Sequence, residues 1–429
     1  MTALIVAHGH PRFNKGGAEI ASYRLYQALR QTKGWEKSGF LAACPDDSML
    51  RPGCEFLGLT DSEWLVRRSS DPLLHDTNLN LTTTVHGALH QAIKNLNPSV
   101  VHIHHYVHIG LDLLHALKSW FPDAKFIFTI HEYWAMCPYE GRLLKRNGRF
   151  CNGPEADECA TCVGEDMRIE LAVRRLRIAR FFATIDQFIS PSFFLKQRYV
   201  DWGIEAERIA VIENLPLPTH DVPSVPESIT DVETKKEDQI VFAYFGQINR
   251  WKGIDIILEA FSVAVQKCPN IRLELHGLSS DLLFGKQYFH DQDFLLHCRR
   301  LLKRIPLGSI RLMGTYQPDE LPSRLQVVDV VVMASRWYEN APMVIQEAFS
   351  NGVPVMAPNY GGMAEKIQHR ANGWLFDGKS GSQLDELLIW VAKNCDILSE
   401  IKSQALKSKL RGSDVLLNHL NLYAELAAT

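Results

Sequence analysis

A short apolar run, a polar loop and a helix start follow one another late in this 429-residue chain and constrain its fold. Residues 327–334 read VVDVVVMA, the nearly continuous apolar pattern of a parallel strand buried on both faces. Pro342 fits the first position of a helix, Met343–Ser350, which should end at Asn351 and Gly352. The pattern predicts an open α/β sheet, with ligands bound beyond the carboxyl end of the strand.

The start of this helix predicts a phosphate site flanked by two carboxylates. Free N–H groups and the partial positive charge of a helix N-terminus favour an anion. Glu339 precedes the helix and Glu347 lies within it. Carboxylates repel phosphate but accept hydrogen bonds from hydroxyls, so the two glutamates favour sugar and ribose hydroxyls as their partners.

Glu339 and Glu347, followed by Gly352, Pro354, Gly361 and Gly362 in this order and spacing, resemble the donor site of the retaining, nucleotide-sugar-dependent glycosyltransferases of family four. The pair Gly361 and Gly362 should let the turn after the next strand approach a ligand closely. The resemblance covers nearly the whole chain. It implies the GT-B fold, an α/β architecture of two Rossmann-like domains facing a central cleft. It also implies that Glu339 is catalytic and holds the sugar, and that Glu347 holds the ribose. The remaining donor contacts at the helix start would be Asn340, Ala341, Pro342, Met343 and Val344.

A glycine pair near the beginning of the chain fits the same resemblance. Gly16 and Gly17 precede a predicted helix, and members of the family carry a GG-A-E loop here that faces the donor. The chain has no GxGxxG dinucleotide motif and no GxxxxGK[ST] phosphate loop. These absences argue against hydride transfer and against ATP hydrolysis.

Histidines follow two predicted strands. The strand at residues 100–105 carries His102, His104 and His105. A neutral, hydrogen-bonded arrangement is favoured over a metal site there, because no carboxylate or cysteine is in step with them. The strand at 125–130 delivers His131 to the edge where ligands bind. The resemblance implies that His131 is catalytic and contacts the transferred sugar; a structural histidine is the alternative.

A cysteine-bearing segment at 137–162 follows His131. Its spacing is C-x13-C-x7-C-x2-C, formed by Cys137, Cys151, Cys159 and Cys162. Four thiolates can bind zinc in a closed, structural site, and the final C-x2-C is the spacing of zinc knuckles. The segment resembles an insertion found in a subset of the family. We predict structural zinc or free thiols here, because an intracellular chain disfavours disulfides.

A basic amphipathic helix is predicted at residues 167–188. Its arginines are Arg168, Arg174, Arg175, Arg177 and Arg180. Such a helix either presents a solvated outer face or makes peripheral contact with an anionic membrane.

A second phosphate-binding loop is predicted after the strand at residues 240–245. Gly246 ends this strand, and Lys252 stands at the junction with the next helix. A lysine at this place can neutralise a diphosphate leaving group without a metal. The family pattern has an arginine where this chain has Gln247, so Arg250 is the candidate for the missing phosphate contact.

The chain is predicted to form an acceptor-side domain at 1–218, a proline-rich linker at 219–239 and a nucleotide-sugar-binding domain at 240–410. The last helix, at 411–429, should pack back on the first domain. A net charge of −3 without a basic tail argues against nucleic-acid binding. With no membrane-span pattern and no signal-peptide pattern, we expect the chain in the cytoplasm or at the inner face of the membrane.

The resemblance implies a metal-independent, retaining enzyme that needs no cofactor for catalysis. It would move a hexosyl unit from a UDP or GDP sugar to a hydroxyl of a glycan or glycolipid, in cell-envelope polysaccharide synthesis. One alternative is another GT-B enzyme, such as a phosphorylase or an epimerase. The other is a non-catalytic scaffold that binds a sugar nucleotide, which Gln247 favours and the intact Glu339 and Glu347 disfavour.

Overall fold

The computed structural model of the chain describes residues 1–14, 16–69, 87–153, 156–217, 238–277, 292–378 and 382–428. It divides into two compact units. The first consists of Met1–Leu215 with Gly412–Thr429, and the second of Pro216–Arg411. Residues 218–237, which include most of the predicted linker, lie outside the described residues.

The first unit is built on one sheet. Its described strands are β1 (Ala3–Ala7), β2 (Gly39–Ala43), β3 (Phe56–Gly58), β4 (Glu63–Val66), β5 (Val100–Ile103), β6 (Lys125–Thr129), β7 (Gln187–Ser190) and β8 (Ile209–Val211). They lie in the order β3-β4-β2-β1-β5-β6-β7-β8. All neighbours pair in parallel except β3 and β4. The central strand β1 is fully buried, as its unbroken apolar sequence requires.

Helices flank this sheet. They are α1 (Gly17–Arg30), α2 (Ala88–Ile93), α3 (Leu111–Trp120), α4 (Ala156–Val163), α5 (Arg168–Ala183), α6 (Phe193–Trp202) and the C-terminal α14 (Gly412–Ala428). Helix α14 belongs to the first unit, where the buried Tyr423 hydroxyl lies 2.6 Å from Nδ1 of His102.

The predicted helix at 167–188 is shorter than expected. It ends at Ala183, because residues Gln187–Ser190 pair with β6 as strand β7. Its arginines also do not all face outward. Arg174 is buried and donates hydrogen bonds to the main-chain oxygens of Trp134 and Ala135. Exposed apolar side chains, Ile169 and Leu176, lie among the remaining arginines.

The second unit contains a parallel sheet. Its described strands are β9 (Ile240–Phe245), β10 (Ile271–His276), β11 (Ile310–Leu312), β12 (Val330–Val332), β13 (Val355–Pro358) and β14 (Gly373–Phe376). Their order is β11-β10-β9-β12-β13-β14. The strand predicted at 327–334 is shorter than expected. Only Val330–Val332 form strand β12.

Successive side chains of β9 enter two different apolar clusters. Phe242 and Tyr244 join one cluster, whereas Val241, Ala243 and Phe245 join the other. Because side chains alternate across a strand, these clusters cover the two faces of the sheet. The helices are α7 (Ile254–Lys267), α8 (Gln292–Leu302), α9 (Leu321–Leu325), α10 (Met343–Ser350), α11 (Gly361–Lys366), α12 (Ser382–Lys393) and α13 (Leu398–Lys407). Both units confirm the predicted α/β class.

No helix within the described ranges is both long enough and apolar enough to cross a bilayer.

Candidate active site

In the second unit, three donors converge on one oxygen of Glu339. The Oε1 atom accepts hydrogen bonds from Lys252 Nζ at 2.6 Å, Ser335 Oγ at 2.7 Å and Trp337 Nε1 at 3.0 Å. Glu339 is only 7% exposed, and the Lys252 ammonium also lies 5.6 Å from the centre of the Trp337 ring. The sequence-predicted catalytic glutamate and diphosphate lysine are thus direct neighbours.

The surroundings of Glu339 keep it ionised. Burial by itself raises the pKa of this carboxyl group. The charge of Lys252 and the hydrogen bonds from Lys252, Ser335 and Trp337 outweigh burial and hold the pKa of Glu339 below its ordinary value. At neutral pH the group is therefore a carboxylate.

A tight contact between two loops places Lys252 beside Glu339. Lys252 ends a short 3₁₀ turn after β9, and the Asn249 side chain accepts hydrogen bonds from the main-chain N–H groups of Trp251 and Lys252. Gly253 follows with φ of 66°, and a Cβ atom there would lie 1.9 Å from the Ala334 oxygen. Only glycine permits this approach, so the backbone itself brings the two loops together.

Gly361 and Gly362, which were predicted to let a turn approach a ligand closely, lie against the main chain of Glu339 and Asn340. The Gly362 N–H donates a hydrogen bond to the Glu339 oxygen at 2.6 Å. A Cβ on Gly362 would lie 1.6 Å from the Asn340 oxygen, and Gly361 has φ of 64°. The pair therefore holds the main chain around Glu339 and Asn340.

Replacing Gly362 by alanine is expected to destabilise the fold by about 3 kcal/mol, because the new methyl group meets main-chain atoms that cannot rotate away. Denaturant unfolding measures the loss. Gly58→Ala is the matched control, since the nearest atoms to a Cβ there lie at 3.9 Å. Equal stability of the two variants would contradict this account of the turn.

The helix predicted at Met343–Ser350 is confirmed, and Pro342 lies one position before its first residue. Pro342 is the N-cap, with φ of −64° and ψ of 117°, and α10 begins at Met343. Proline tolerates both positions because its missing N–H is not needed there. Asn340 is buried, and the four residues that follow it are half-buried: Ala341, Pro342, Met343 and Val344.

Glu347 is half-buried on α10. Burial raises the pKa of Tyr316, and the charge of Glu347 raises it further. Gly246 follows β9 with φ of 148°, and a Cβ on Gly277 would lie 2.2 Å from the Gly246 oxygen. The side chains of Gln247 and Arg250 are exposed. The contact of Arg250 with a phosphate group stays a prediction.

In the first unit, His131 belongs to a row of histidines. Its Nε2 lies 2.8 Å from Nδ1 of the buried His104, and the two rings stack. His104 in turn contacts the His102 ring, whose nitrogens lie 2.6 Å from the hydroxyls of Thr129 and Tyr423. The hydrogen-bonded arrangement predicted for His102 and His104 is confirmed.

The same contacts indicate which nitrogen of His131 carries its proton. Within the described residues, Nε2 of His104 is buried and has no hydrogen-bond partner. Burying an N–H group without an acceptor costs more free energy than burying a lone pair without a donor. We therefore assign the proton of His104 to Nδ1, from which it donates a hydrogen bond to His131. His131 then holds its own proton on Nδ1 and presents an N–H donor.

The buried histidines predict acid sensitivity. Burial lowers the pKa of His102 and His104 well below the ordinary value, that of His131 to about 3, and that of His419 to about 4. These groups stay neutral in the fold but gain protons on unfolding below about pH 6.5. The native state is therefore fully stabilised above that pH and loses stability as the pH falls toward the folded pKa values.

For the fully buried His102 and His104, the free energy of unfolding is expected to fall by about 1.4 kcal/mol per histidine for each pH unit below 6.5. Denaturant unfolding between pH 7.5 and 5.5 measures this slope. His297→Gln should leave it unchanged, because His297 is exposed. Burial also raises the pKa of Glu132, to about 8, so this carboxyl group contributes a slope of opposite sign that offsets about one histidine. A stability that rises as the pH falls would contradict neutral buried histidines.

The predicted glycine loop of the first unit lies at the start of α1. Gly16 is the N-cap, and a Cβ there would lie 2.3 Å from the carboxylate of Glu19. Glu19 Oε1 pairs with His8 Nε2 at 3.1 Å. Among the described residues, no atom lies within 4 Å of a Cβ built on Gly17, so none of their contacts requires glycine there.

The cysteines of the 137–162 segment come together. Cys137, Cys151, Cys159 and Cys162 line one cavity of about 20 Å³ and are not joined by disulfides. Across the described chain, no group of three or more His, Cys, Asp or Glu side chains stands ready to hold a metal ion.

Two family descriptions match this chain over nearly its whole length. Residues 15–215 match Glycosyltransferase Family 4, and residues 226–408 match Glycosyl transferases group 1. The chain is a family-4-like GT-B glycosyltransferase. The matches confirm the predicted family type and, with the two parallel-sheet units, the predicted fold class.

Solved structures share the fold of this glycosyltransferase. Sucrose-phosphate synthase from Thermosynechococcus elongatus has a TM-score of 0.70 at 16% identity, covering 100% of both chains. Anabaena HepE in complex with UDP has a TM-score of 0.67 at 17% identity, covering 99% of this chain and 100% of that one. HepE is also known in complex with UDP-glucose, with a TM-score of 0.62.

Among curated relatives, Bacillus subtilis spore coat protein SA is 22% identical over 263 residues, which is 60% of this chain and 60% of that protein. The first curated relatives match over 38 to 60% of their own lengths.

Sequence reasoning identified Glu339 and Lys252 but missed their partners in this glycosyltransferase. Ser335 and Trp337 bind the same oxygen of Glu339 as Lys252 does. The S-x-W-x-E spacing of the loop was the available signal, because it places three polar side chains within five residues. His104 was read only as a strand-end histidine, although it directly supports His131.

Proposed function

We propose that the chain is a metal-independent, retaining glycosyltransferase that moves a hexosyl unit from a nucleoside diphosphate sugar to a hydroxyl group. The observation that carries this proposal is the buried, ionised Glu339 hydrogen-bonded to Lys252 beside the start of α10. A fixed cation, a helix N-terminus and a carboxylate together suit a sugar diphosphate, whose two ends differ in charge.

Each side chain has a role in this proposal. Lys252 and the first-turn N–H groups of α10 bind the diphosphate and stabilise the negative charge that develops as it leaves. Glu347 accepts hydrogen bonds from the ribose hydroxyls. Glu339 accepts a sugar hydroxyl through Oε2, the oxygen that its three donors do not use.

His131 contacts the transferred sugar in the same proposal. Its low pKa keeps the ring neutral at physiological pH, so it acts as a hydrogen-bond donor rather than as a cation. The family resemblance supports this role, and the hydrogen bond from His104 orients the ring for it.

The proposed chemical step is a substitution on one face of the sugar. The bond between the anomeric carbon and the diphosphate oxygen breaks, and a bond from that carbon to the acceptor oxygen forms on the same face. The leaving diphosphate oxygen takes the acceptor proton, so configuration is retained without a protein nucleophile. The family resemblance supports this route, since no carboxylate pair of the glycosidase type was found in the sequence.

UDP and GDP sugars are the proposed donors, and a glycan or glycolipid of the cell envelope is the proposed acceptor. The UDP and UDP-glucose complexes of the HepE neighbour support a nucleotide sugar, and a relative named for the spore coat fits a surface glycan. A cytoplasmic location remains part of the proposal. So does contact with anionic lipid through α5, which exposes Ile169 and Leu176 among its arginines.

The proposal is tested by screening UDP, GDP and ADP sugars for thermal stabilisation of the full chain, followed by transfer assays with the stabilising donor. A donor at about 100 times its Kd is expected to stabilise the fold by about 2.7 kcal/mol. The anomeric configuration of the product, read by NMR, should equal that of the donor. Stabilisation without transfer or hydrolysis would favour the scaffold, and an inverted product would exclude the retaining mechanism.

A further inference from the structure

The four cysteines after His131 come from separate parts of one small loop structure. Leu144 and Phe150 pair as an antiparallel bridge, and the Cys151 N–H donates to the Leu143 oxygen at 2.8 Å. This hairpin carries Cys151 at its end. Cys159 and Cys162 lie three residues apart on α4 and therefore share one face of that helix.

The cavity that these thiols line has room for a single ion. Its volume is about 20 Å³, slightly more than the roughly 10–15 Å³ that one water-sized occupant needs. Much of the remaining wall is apolar: Met136, Pro138, Leu143 and Leu144.

The thiols are held by weak contacts that a metal could replace. Cys137 Sγ donates to the Tyr139 oxygen at 3.5 Å, and Cys151 Sγ donates to the Gly153 oxygen at 3.2 Å. Metal binding would require these two side chains to turn from the carbonyl groups into the cavity. Rotation about one side-chain bond is enough to turn a cysteine sulfur, and the cavity already borders all four residues.

Basic side chains surround the loop and suit a site of net negative charge. Four thiolates around a divalent ion carry a net charge of −2. Arg146 Nε donates to the Cys162 oxygen at 2.6 Å, and Lys145, which lines the cavity, pairs with Glu158 at 2.9 Å. The buried Arg174 holds the main chain just before Cys137, at Trp134 and Ala135.

We propose that Cys137, Cys151, Cys159 and Cys162 bind one zinc ion as thiolates. Each S–H group loses its proton to solvent as a sulfur–zinc bond forms, with no change of oxidation state. Four protein ligands leave no open position, so the site is structural. It fixes the hairpin and α4 to each other and holds the chain that leaves His131.

Purified full-length chain, expressed with zinc in the medium, is expected to contain about one zinc per chain by elemental analysis. The four thiols should resist a thiol reagent until a strong chelator is added. The chelated chain should melt at a lower temperature and recover when zinc is restored. Cobalt added to the chelated chain should produce the visible bands of a tetrahedral thiolate site.

Cys162→Ser is expected to lose most of the bound zinc and the intensity of the cobalt bands. Cys54→Ser and Cys395→Ser are matched controls, because both cysteines are exposed and lie outside the loop; they should keep the metal. Should Cys162→Ser fail to fold, the chelation and reloading of the unaltered chain decide the question.

Several results would overturn the proposal. They are a chain without stoichiometric metal whose four thiols react freely, a mass that reveals disulfides, bound iron in place of zinc, and a Cys162→Ser variant with full zinc content. The test does not depend on sugar transfer, so its failure would leave the proposed glycosyltransferase activity untouched.

Discussion

Replacing Glu339 by glutamine is expected to lower kcat for sugar transfer by about 10²–10³-fold. Glutamine keeps the shape of the side chain but removes the negative charge that faces the donor. Ser335 and Trp337 can still donate to the amide oxygen, so the loop should keep its conformation. Steady-state kinetics with a saturating nucleotide sugar measure the change.

The control for this substitution is Glu259→Gln. Glu259 is exposed on α7 and takes no part in the hydrogen bonds of Glu339. The kcat of Glu259→Gln should equal that of the unaltered chain. Glu339→Gln should unfold at a lower denaturant concentration than Glu259→Gln, because it loses the buried ion pair with Lys252, but it should remain folded under the assay conditions. Near-normal turnover in Glu339→Gln would remove this carboxylate from the catalytic account.

Replacing Lys252 by methionine is expected to lower kcat/KM by about 10²–10³-fold. The ammonium group no longer stabilises the diphosphate, either in the bound donor or as the diphosphate leaves. The affinity for UDP should weaken together with the rate. Isothermal titration with UDP measures the binding part, and steady-state kinetics measure the whole effect. Lys267→Met, an exposed lysine on α7, is the matched control.

The same variant should change the pH dependence of transfer. Lys252 lowers the pKa of Glu339, whereas burial raises it. Without Lys252 the pKa of Glu339 rises, so the carboxylate is lost at a higher pH as the solution is acidified. The acid limb of the kcat/KM profile should therefore move upward, and a profile that stays in place would show that Glu339 does not set it.

Several features of the fold and the site could be predicted from local sequence. An apolar strand followed by a helix start predicted an open α/β sheet, and the resemblance to the family-four glycosyltransferases implied two such domains. The glutamates around α10, the lysine after β9 and the glycine pair after β13 were each recognised from spacing. Local signals sufficed because each of these groups is placed by the element that carries it, at the carboxyl end of a strand or the start of a helix.

The contacts between these groups could not be read from sequence. Lys252 and Glu339 are 87 positions apart and meet only because Gly253 and Gly362 let main chains approach closely. The sequence predicted Arg174 on an outer face of its helix. Arg174 is instead buried, because it donates hydrogen bonds to the main-chain oxygens of Trp134 and Ala135, in a loop that precedes the helix. Such long-range pairing depends on how elements pack, which periodicity does not encode.

A crystal structure of the full chain with bound UDP-glucose tests the central claim most directly. We predict diphosphate oxygens within hydrogen-bond distance of Lys252 Nζ and of the first-turn N–H groups of α10, with a sugar hydroxyl on Glu339 Oε2. A diphosphate bound away from α10, or a Glu339 that contacts only protein atoms while the sugar is bound, would contradict the account.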